Sequence, residues 1–153
     1  MKDLATTANI VAASAHDGQT DKAGTPYITH PARVAAAARD AAPAHLAEQA
    51  EAVGWLHDVF EDTSVTIGQL RDQGFPEPVL AGVDAMTKRP GEPVEEYFAR
   101  IRANDLARIV KNADLDDNTN PERLDKLDAG TRDRLTTKYQ RARALLTLTD
   151  SAQ

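Results

Sequence analysis

Apolar residues recur along most of the chain at the three- and four-residue spacing of helices, and no stretch alternates in the way a strand would. In the clearest case, Val94, Tyr97, Phe98 and Ile101 fall at i, i+3, i+4 and i+7. Similar spacing predicts a first helix up to about His16 and further helices near 30–42, 44–62, 66–70, 79–86, 106–113 and 135–146. With no repeat of 20–50 residues and no internal boundary, the pattern predicts an all-α bundle. We expect residues 1–153 to form a single domain.

Cap and turn residues mark several of the helix ends. Thr29 and Thr66 are predicted N-caps, and the pair at 104–105 is predicted to end one helix and begin the next. The segment 18–26 combines two glycines, a proline and polar residues, which is typical of a loop. The segment DDNTNP, residues 116–121, is also predicted to be loop-like.

Composition limits the classes of function. The formal net charge of −6 argues against a broad nucleic-acid-binding surface, although a locally basic pocket can still bind a small anion. No apolar run is long enough to span a membrane, and the N-terminus lacks a signal-peptide pattern. We therefore expect a cytoplasmic protein. With no cysteine, any metal must be held by nitrogen and oxygen ligands.

The segment HDVFED, residues 57–62, follows an apolar stretch and places three carboxylates within five residues. In a helix, Asp58, Glu61 and Asp62 fall at i, i+3 and i+4 on one surface. Burying unpaired charge is costly, and a divalent cation supplies the missing positive charge. We interpret His57 and Asp58 as candidate ligands, with Glu61 and Asp62 acting on water or protons. An acidic face exposed to solvent is the simpler alternative.

Two ligands are too few to hold a metal ion, and two further candidate ligands lie elsewhere in the chain. His30 begins a helix directly before Pro31, so its backbone is held rigidly, which suits a ligand. The cluster NADLDDN at 112–118 places Asp114 and Asn118 one helical turn apart, behind an apolar pair. Asp114 is a plausible distant ligand that ties a late helix to the early ones. The alternative is that this cluster only ends a helix.

The two remaining histidines have plainer interpretations. His16 precedes Asp17 and Gly18, which fits a helix end better than a ligand. His45 begins a predicted helix between Ala44 and Leu46, where a surface position is expected.

Taken in order, these motifs resemble the HD superfamily of metal-dependent phosphohydrolases, and most closely the hydrolase domain of RelA/SpoT-type enzymes and the stand-alone small alarmone hydrolases. The resemblance covers about residues 12–118, through AHDGQTDKAGTPYITHPARVA (15–35), GWLHDVFEDT (54–63), TK (87–88) and VKNADLDDN (110–118). A lone HD pair is weak evidence, whereas HPxxVA, HDxxED and KxADxxDN in this order are far more specific. The resemblance implies a helical HD-type hydrolase fold.

Carried onto the matching positions, the resemblance implies a site with three parts. The ligands of one divalent ion, manganese first and iron, zinc, cobalt or magnesium as alternatives, would be His30, His57, Asp58 and Asp114. The residues that position and activate water would be Glu61 and Asp62. The residues around the nucleotide and its phosphates would be Lys22, Tyr27, Lys88, Lys111 and Asn118. In that family the reaction removes the 3′-pyrophosphate of guanosine tetra- or pentaphosphate.

Two positions depart from the family pattern. Asp21 stands where a basic residue usually contributes to base binding, and Leu115 stands where arginine commonly follows the metal-binding aspartate. Both changes are expected to make the pocket less positive. The metal chemistry is therefore better supported than the choice of nucleotide.

Three functions follow as hypotheses. The first is an alarmone 3′-pyrophosphohydrolase, the second a phosphatase for another nucleotide, and the third a sensor that binds metal and nucleotide without turnover. Retention of Glu61 and Asp62 argues against the sensor, and a purely structural adaptor leaves the His and Asp set unexplained. The expected partner is a small nucleotide, with no nucleic acid and no membrane, and a homo-oligomer is compatible with the alanine-rich faces. Because 153 residues leave no room for a synthetase segment, we expect degradation only.

Overall fold

The computed structural model describes residues 3–148, and helices joined by short turns make up this range. The helices are α1 (Leu4–Ala15), α2 (Thr29–Ala41), α3 (Ala47–Leu56), α4 (Val59–Asp62), α5 (Ile67–Asp72), α6 (Glu77–Met86), α7 (Val94–Arg102), α8 (Asp105–Asn118), α9 (Pro121–Leu124) and α10 (Ala129–Leu146), with a 3₁₀ turn at Ala44–Leu46. Between residues 3 and 148 there is no strand beyond one isolated bridge. The prediction of an all-α bundle is confirmed. None of the described helices is both long and apolar enough to cross a membrane.

Helices α2 and α3 form the centre of the bundle and are packed unusually closely. They are joined by a short connection, and so they lie side by side with the start of α2 near the end of α3. A Cβ atom added at Gly54 of α3 would lie 2.6 Å from the Cα atom of Ala35 in α2. Since only glycine permits this approach, the sequence brings His30 and His57 close together, with ring centroids 5.3 Å apart.

Helix α8 completes the core by packing against α2, α3 and α6, while α10 lies across α7 and α8. The pair predicted to separate two helices does so between α7 and α8, and Asn104 caps α8 by accepting a hydrogen bond from the amide of Ala107. The fully buried side chains that hold these helices together include Val34, Val53, Leu56, Val83, Ile101 and Val110. This packing fixes the polar end of α8 against the ends of α2 and α3.

Three predictions about local structure were wrong. Thr29 is the first residue of α2 and does not cap it; its hydroxyl donates to the carbonyl of Pro26. The segment 44–62 is not one helix, because α3 stops at Leu56 and α4 begins at Val59. The region 116–121 is not all loop, since α8 continues to Asn118. The predicted cap at Thr66 is confirmed, and Gln69 completes a capping box there.

Candidate metal centre

Three helices that are far apart in sequence bring nitrogen and oxygen donors to one point. His30 lies at the start of α2, His57 follows the end of α3, and Asp114 lies in the last turns of α8. One donor atom from each lies within 4.8 Å of the others, and all three residues are buried. These three residues form a potential metal-binding site. Together with Asp58, which approaches the same point, they form a group of four residues, named here the His/Asp cluster.

The break between α3 and α4 orients the ring of His57. Its Nδ1 atom lies 2.7 Å from the carbonyl oxygen of Gly54, one turn back in α3. Because a carbonyl oxygen can only accept, Nδ1 donates, and in the neutral ring the lone pair is therefore on Nε2. Nε2 is buried with no hydrogen-bond partner within the described range, although Asp58 Oδ2 and Asp114 Oδ1 lie 3.1 and 3.4 Å away.

His30 is oriented in the same way by a carboxylate that the sequence analysis did not select. Its Nδ1 atom lies 2.6 Å from Asp117 Oδ2, and its Nε2 atom lies 2.9 Å from Asp114 Oδ1. Asp117 also accepts hydrogen bonds from Arg33 and Arg123, which keep it ionised. Although burial opposes the charged imidazole, the two carboxylates outweigh it and raise the pKa of His30.

Asp58 approaches the same point from the turn between α3 and α4. Its carboxylate is not among the donor atoms of His30, His57 and Asp114 that lie within 4.8 Å of one another. Its Oδ2 atom nevertheless faces His57 Nε2 and accepts a hydrogen bond from the Tyr27 hydroxyl. Burial raises the pKa of this carboxyl, yet the charge of His57 outweighs it and lowers the value to about 2. Asp58 is therefore an ionised, buried carboxylate.

Asp114 is held by three kinds of donor. Lys111 donates to its Oδ2 atom at 3.1 Å, one turn earlier in α8, and Asn118 donates to Oδ1 at 3.1 Å, one turn later. Burial opposes the charged form, but Lys111 and the two histidines keep the pKa of Asp114 well below its usual range. Lys111 is therefore a structural counterion to Asp114 as well as a residue of the cavity wall.

These donors fit a divalent cation. The Nε2 atoms of both imidazoles face ionised carboxylates, an arrangement that is repulsive unless a proton or a cation lies between them. Nitrogen and oxygen donors without sulfur suit first-row ions such as manganese, iron or zinc. The contact between His30 and Asp117 is the carboxylate–histidine arrangement that commonly supports a metal ligand.

The two predicted water-activating residues occupy different positions. Glu61 lines the cavity that opens over the His/Asp cluster. The backbone amide of Lys88 donates a hydrogen bond to its Oε1 atom at 2.5 Å. Asp62 is not part of the cavity lining, and Gln19 holds its backbone carbonyl oxygen. Burial and the charges of Asp58 and Glu61 raise the pKa of Asp62.

An open cavity of about 520 Å³ lies over the His/Asp cluster, within the range typical of small-molecule sites. All five residues predicted around the nucleotide line it: Lys22, Tyr27, Lys88, Lys111 and Asn118. The structure therefore brings the predicted metal-binding and nucleotide-binding residues to one cavity, and Asp62 is not among the residues that line it.

The two positions that depart from the family pattern have clear structural roles. Asp21 Oδ1 accepts hydrogen bonds from the amides of Ala23 and Thr25, which shapes the loop, and its Oδ2 atom lies 3.5 Å from the Arg123 guanidinium. Leu115 is 1% exposed and belongs to the core. The charge of Asp21 is thus balanced by a cation from α9.

Residues that the sequence analysis did not select also line the cavity, among them Arg33, Arg123, Lys126, Lys138 and Tyr139. Helical spacing was a usable signal for two of the residues that were missed. Asp117 lies three residues after Asp114, and Lys138 lies three residues after Leu135 on a predicted apolar face. The loop predicted at 116–121 is the reason that the sequence did not indicate Asp117 as a site residue.

The interpretations of the other two histidines are confirmed. His16 caps the end of α1, where it is 2% exposed and its Nδ1 atom lies 2.9 Å from Gln19 Oε1. His45 lies in the 3₁₀ turn and is exposed.

No protein-family model matches the chain. Curated relatives include the guanosine-3′,5′-bis(diphosphate) 3′-pyrophosphohydrolase of Haemophilus influenzae, 42% identical over 79 residues, which are 52% of this chain and 11% of that protein. The bifunctional (p)ppGpp synthase/hydrolase SpoT of Escherichia coli K12 is 40% identical over 81 residues, 53% of this chain and 11% of the relative. The chain thus spans about a tenth of the length of the curated relatives it matches.

The fold has a similar counterpart among solved structures. A metazoan ortholog of SpoT that hydrolyses ppGpp superposes with a TM-score of 0.75 at 20% identity, covering 96% of this chain and 87% of the other. At this identity the likeness concerns the fold alone. Sequence similarity over half of the chain and fold similarity over nearly all of it together confirm the predicted resemblance to HD-type hydrolase domains of the RelA/SpoT family.

Proposed function

We propose that this chain forms one HD-type domain that removes the 3′-pyrophosphate of guanosine tetra- or pentaphosphate with the help of one divalent metal ion. The observation that carries the proposal is the convergence of two buried imidazole rings and two ionised carboxylates beneath a lysine-lined cavity. The names of the curated relatives supply the substrate.

The metal ligands proposed are His30, His57, Asp58 and Asp114, and the ion proposed is manganese. The lone pair on His57 Nε2, buried and without a hydrogen-bond partner in the described chain, supports this assignment. When bound, such an ion offsets the negative charge of phosphate oxygens and makes nearby water more acidic. The other histidine, His30, is held at Nδ1 by Asp117, so its Nε2 atom faces the cluster, where it would bind the ion.

Glu61 and Asp62 are proposed to handle the proton of the attacking water. Glu61 is fixed at the cavity wall by the Lys88 amide, so its second carboxylate oxygen is free to accept a proton from water. The raised pKa of Asp62 makes it the better of the two at holding a proton afterwards. Lys88, whose ammonium lies 5.7 Å from the Tyr97 ring, supplies positive charge to the phosphates on the same side.

A nucleotide panel tests the proposal. We expect the purified chain with manganese to release pyrophosphate from guanosine tetraphosphate, with products resolved by ion-exchange chromatography. Asp58→Ala should abolish both metal retention and turnover, whereas Asp40→Ala, which removes an exposed carboxylate from α2, should change neither. An Asp58→Ala protein that keeps its metal and its activity would end the assignment.

A second candidate is a phosphatase for another nucleotide. Asp21 supports it, because this carboxylate occupies the cavity wall where the family has a basic residue. Release of orthophosphate from other nucleotides, with the tetraphosphate left intact, would favour this candidate. Metal and nucleotide binding without any turnover would favour a sensor instead.

A further inference from the structure

The guanidinium of Arg100 binds a peptide unit next to the cavity. Arg100 lies in α7 with its side chain 20% exposed, and it is not among the residues that line the cavity. Its Nη2 atom donates to the carbonyl oxygen of Thr87 at 2.8 Å. The amide of the same peptide unit belongs to Lys88 and donates to Glu61 Oε1 at 2.5 Å. A cation outside the cavity is thus linked, through one peptide unit, to a carboxylate in the cavity wall.

The geometry of the peptide unit transmits the position of the guanidinium to the carboxylate. Because a trans peptide is planar, its carbonyl oxygen and its amide hydrogen point in opposite directions. A donor that fixes the Thr87 carbonyl on one side therefore fixes the direction of the Lys88 N–H on the other. Hydrogen bonds in series also polarise one another, so a cation at the carbonyl makes the amide a stronger donor.

The same side chain holds the segment around Lys88 at two further points. Arg100 Nε and Nη2 each donate to one carboxylate oxygen of Glu92 at 2.8 Å. Its Nη1 atom donates to the carbonyl oxygens of Asp84 and Ala85, both at 3.3 Å. The hydrogen bonds from Arg100 hold the pKa of Glu92 below its ordinary value. Residues on both sides of Lys88 are therefore bound to one guanidinium.

The carboxylate of Glu61 depends on this amide for its orientation. Glu61 is exposed and lies in the four-residue helix α4. Among residues 3–148, the Lys88 amide is the one hydrogen-bond donor to its carboxylate. An exposed glutamate without such a contact samples several rotamers. The amide thus selects one orientation of the carboxylate.

We infer that Arg100 is a positioning residue for the proton acceptor of the reaction. Through the peptide unit between Thr87 and Lys88, it keeps one oxygen of Glu61 on the amide and leaves the other available to water. This inference rests on the proposed function, which gives Glu61 its role with water. It makes turnover depend on a side chain of α7, a helix that supplies none of the proposed metal ligands.

Steady-state kinetics with guanosine tetraphosphate test this role. We expect Arg100→Gln to lower kcat about 10- to 100-fold, because small displacements of a reacting group are costly. KM should stay within about twofold, since Arg100 does not line the cavity. The same substitution should cause no further loss in a Glu61→Ala protein. In Lys88→Ala, which removes the ammonium and keeps the amide, the full loss should remain.

An unchanged kcat in Arg100→Gln would overturn the inference. An equal loss of kcat with and without Glu61 would overturn it as well, because Arg100 would then act by another route.

Arg71→Gln is the matched control. Arg71 donates to both carboxylate oxygens of Glu77, as Arg100 does to Glu92, but it donates to no backbone carbonyl between residues 3 and 148 and lies outside the cavity lining. Its loss should leave kcat and KM unchanged. Since Arg100→Gln leaves Glu92 without a cation, the double variant Arg100→Gln/Glu92→Gln carries the same test if the single variant fails to fold.

The amide proton of Lys88 gives a readout that requires no turnover. We expect it at low field in NMR spectra of the ¹⁵N-labelled chain with zinc, because a hydrogen bond to a carboxylate is short and strong. The low-field shift should be lost in Glu61→Ala, reduced in Arg100→Gln and retained in Arg71→Gln. If this pattern holds while the wild-type chain hydrolyses no nucleotide, only the proposed function fails. A wild-type shift in Arg100→Gln refutes the positioning role.

Discussion

The carboxylate of Asp117 offers a sharp test of how the proposed metal centre is supported. This side chain is 8% exposed and accepts hydrogen bonds from His30 Nδ1 at 2.6 Å, Arg33 Nε at 2.7 Å and Arg123 Nη1 at 2.8 Å. Asp117→Asn keeps the shape but replaces one acceptor oxygen with an amide that donates. If the remaining oxygen serves the arginines, His30 loses the acceptor for its Nδ1 hydrogen.

The expected cost follows from the tautomer. Without that acceptor, the hydrogen of the neutral imidazole moves to Nε2, and the lone pair no longer points at the site. Loss of such a supporting carboxylate typically weakens metal affinity about 10- to 100-fold, or about 1.4–2.8 kcal/mol. We expect an effect of this size for manganese or zinc, measured by competition with a chromophoric chelator.

The neighbouring residue provides a matched control. Asp116→Asn makes the same chemical change one position away, at a side chain that is 71% exposed and pairs with Arg143 on the surface. Since exposed ion pairs contribute little, its metal affinity should stay within about twofold of wild type. Equal affinities in the two variants, with equal melting temperatures of the metal-free proteins, would refute the proposed role of Asp117.

Two further predictions concern stability and are tested on the metal-free protein. Gly54→Ala forces a Cβ atom against Ala35 and should lower the free energy of unfolding by about 1–3 kcal/mol in urea titrations. Gly68→Ala, whose added Cβ would meet the Thr66 hydroxyl oxygen at an ordinary contact distance of 3.9 Å, should be neutral or slightly stabilising. Comparable losses in both variants would contradict the close packing of α2 on α3. The Thr131 amide and hydroxyl lower the pKa of Asp128, the N-cap of α10, below the free value of 3.8. The stabilisation that the Asp128 carboxylate provides is therefore complete above pH 3.8. It is lost as the pH falls through the lower pKa that Asp128 has in the folded protein. Asp128→Asn keeps the cap and should flatten this part of the melting-temperature profile between pH 6 and 2; an unchanged profile would show that the cap does not titrate.

Local pattern was sufficient for most of the helices. The spacing of Val94, Tyr97, Phe98 and Ile101 predicts α7 because a helix repeats its faces every three to four residues whatever surrounds it. The cap at Thr66 is equally local, since its hydroxyl and the side chain of Gln69 satisfy amides only three residues apart.

Some local predictions failed where tertiary contacts override the pattern. The segment 44–62 has helical spacing throughout, yet the chain turns at His57 and Asp58. The Gly54 carbonyl there accepts from an imidazole. Residues 116–118 have turn-forming composition but stay helical, because Asp117 is held by His30 and two arginines from outside α8.

By itself, the sequence determined the helical class, the approximate position of most helices and the ordered motifs that resemble a metal-dependent phosphohydrolase. Only the tertiary structure decided which donor atoms meet, which imidazole nitrogens face the cluster, and that five of six lysines line one cavity. The reason is physical: periodicity reports on neighbours a few residues apart, whereas convergence of α2, α3, α8 and α10 depends on how closely whole helices pack. The contact of Gly54 with Ala35 sets that distance for the two histidines.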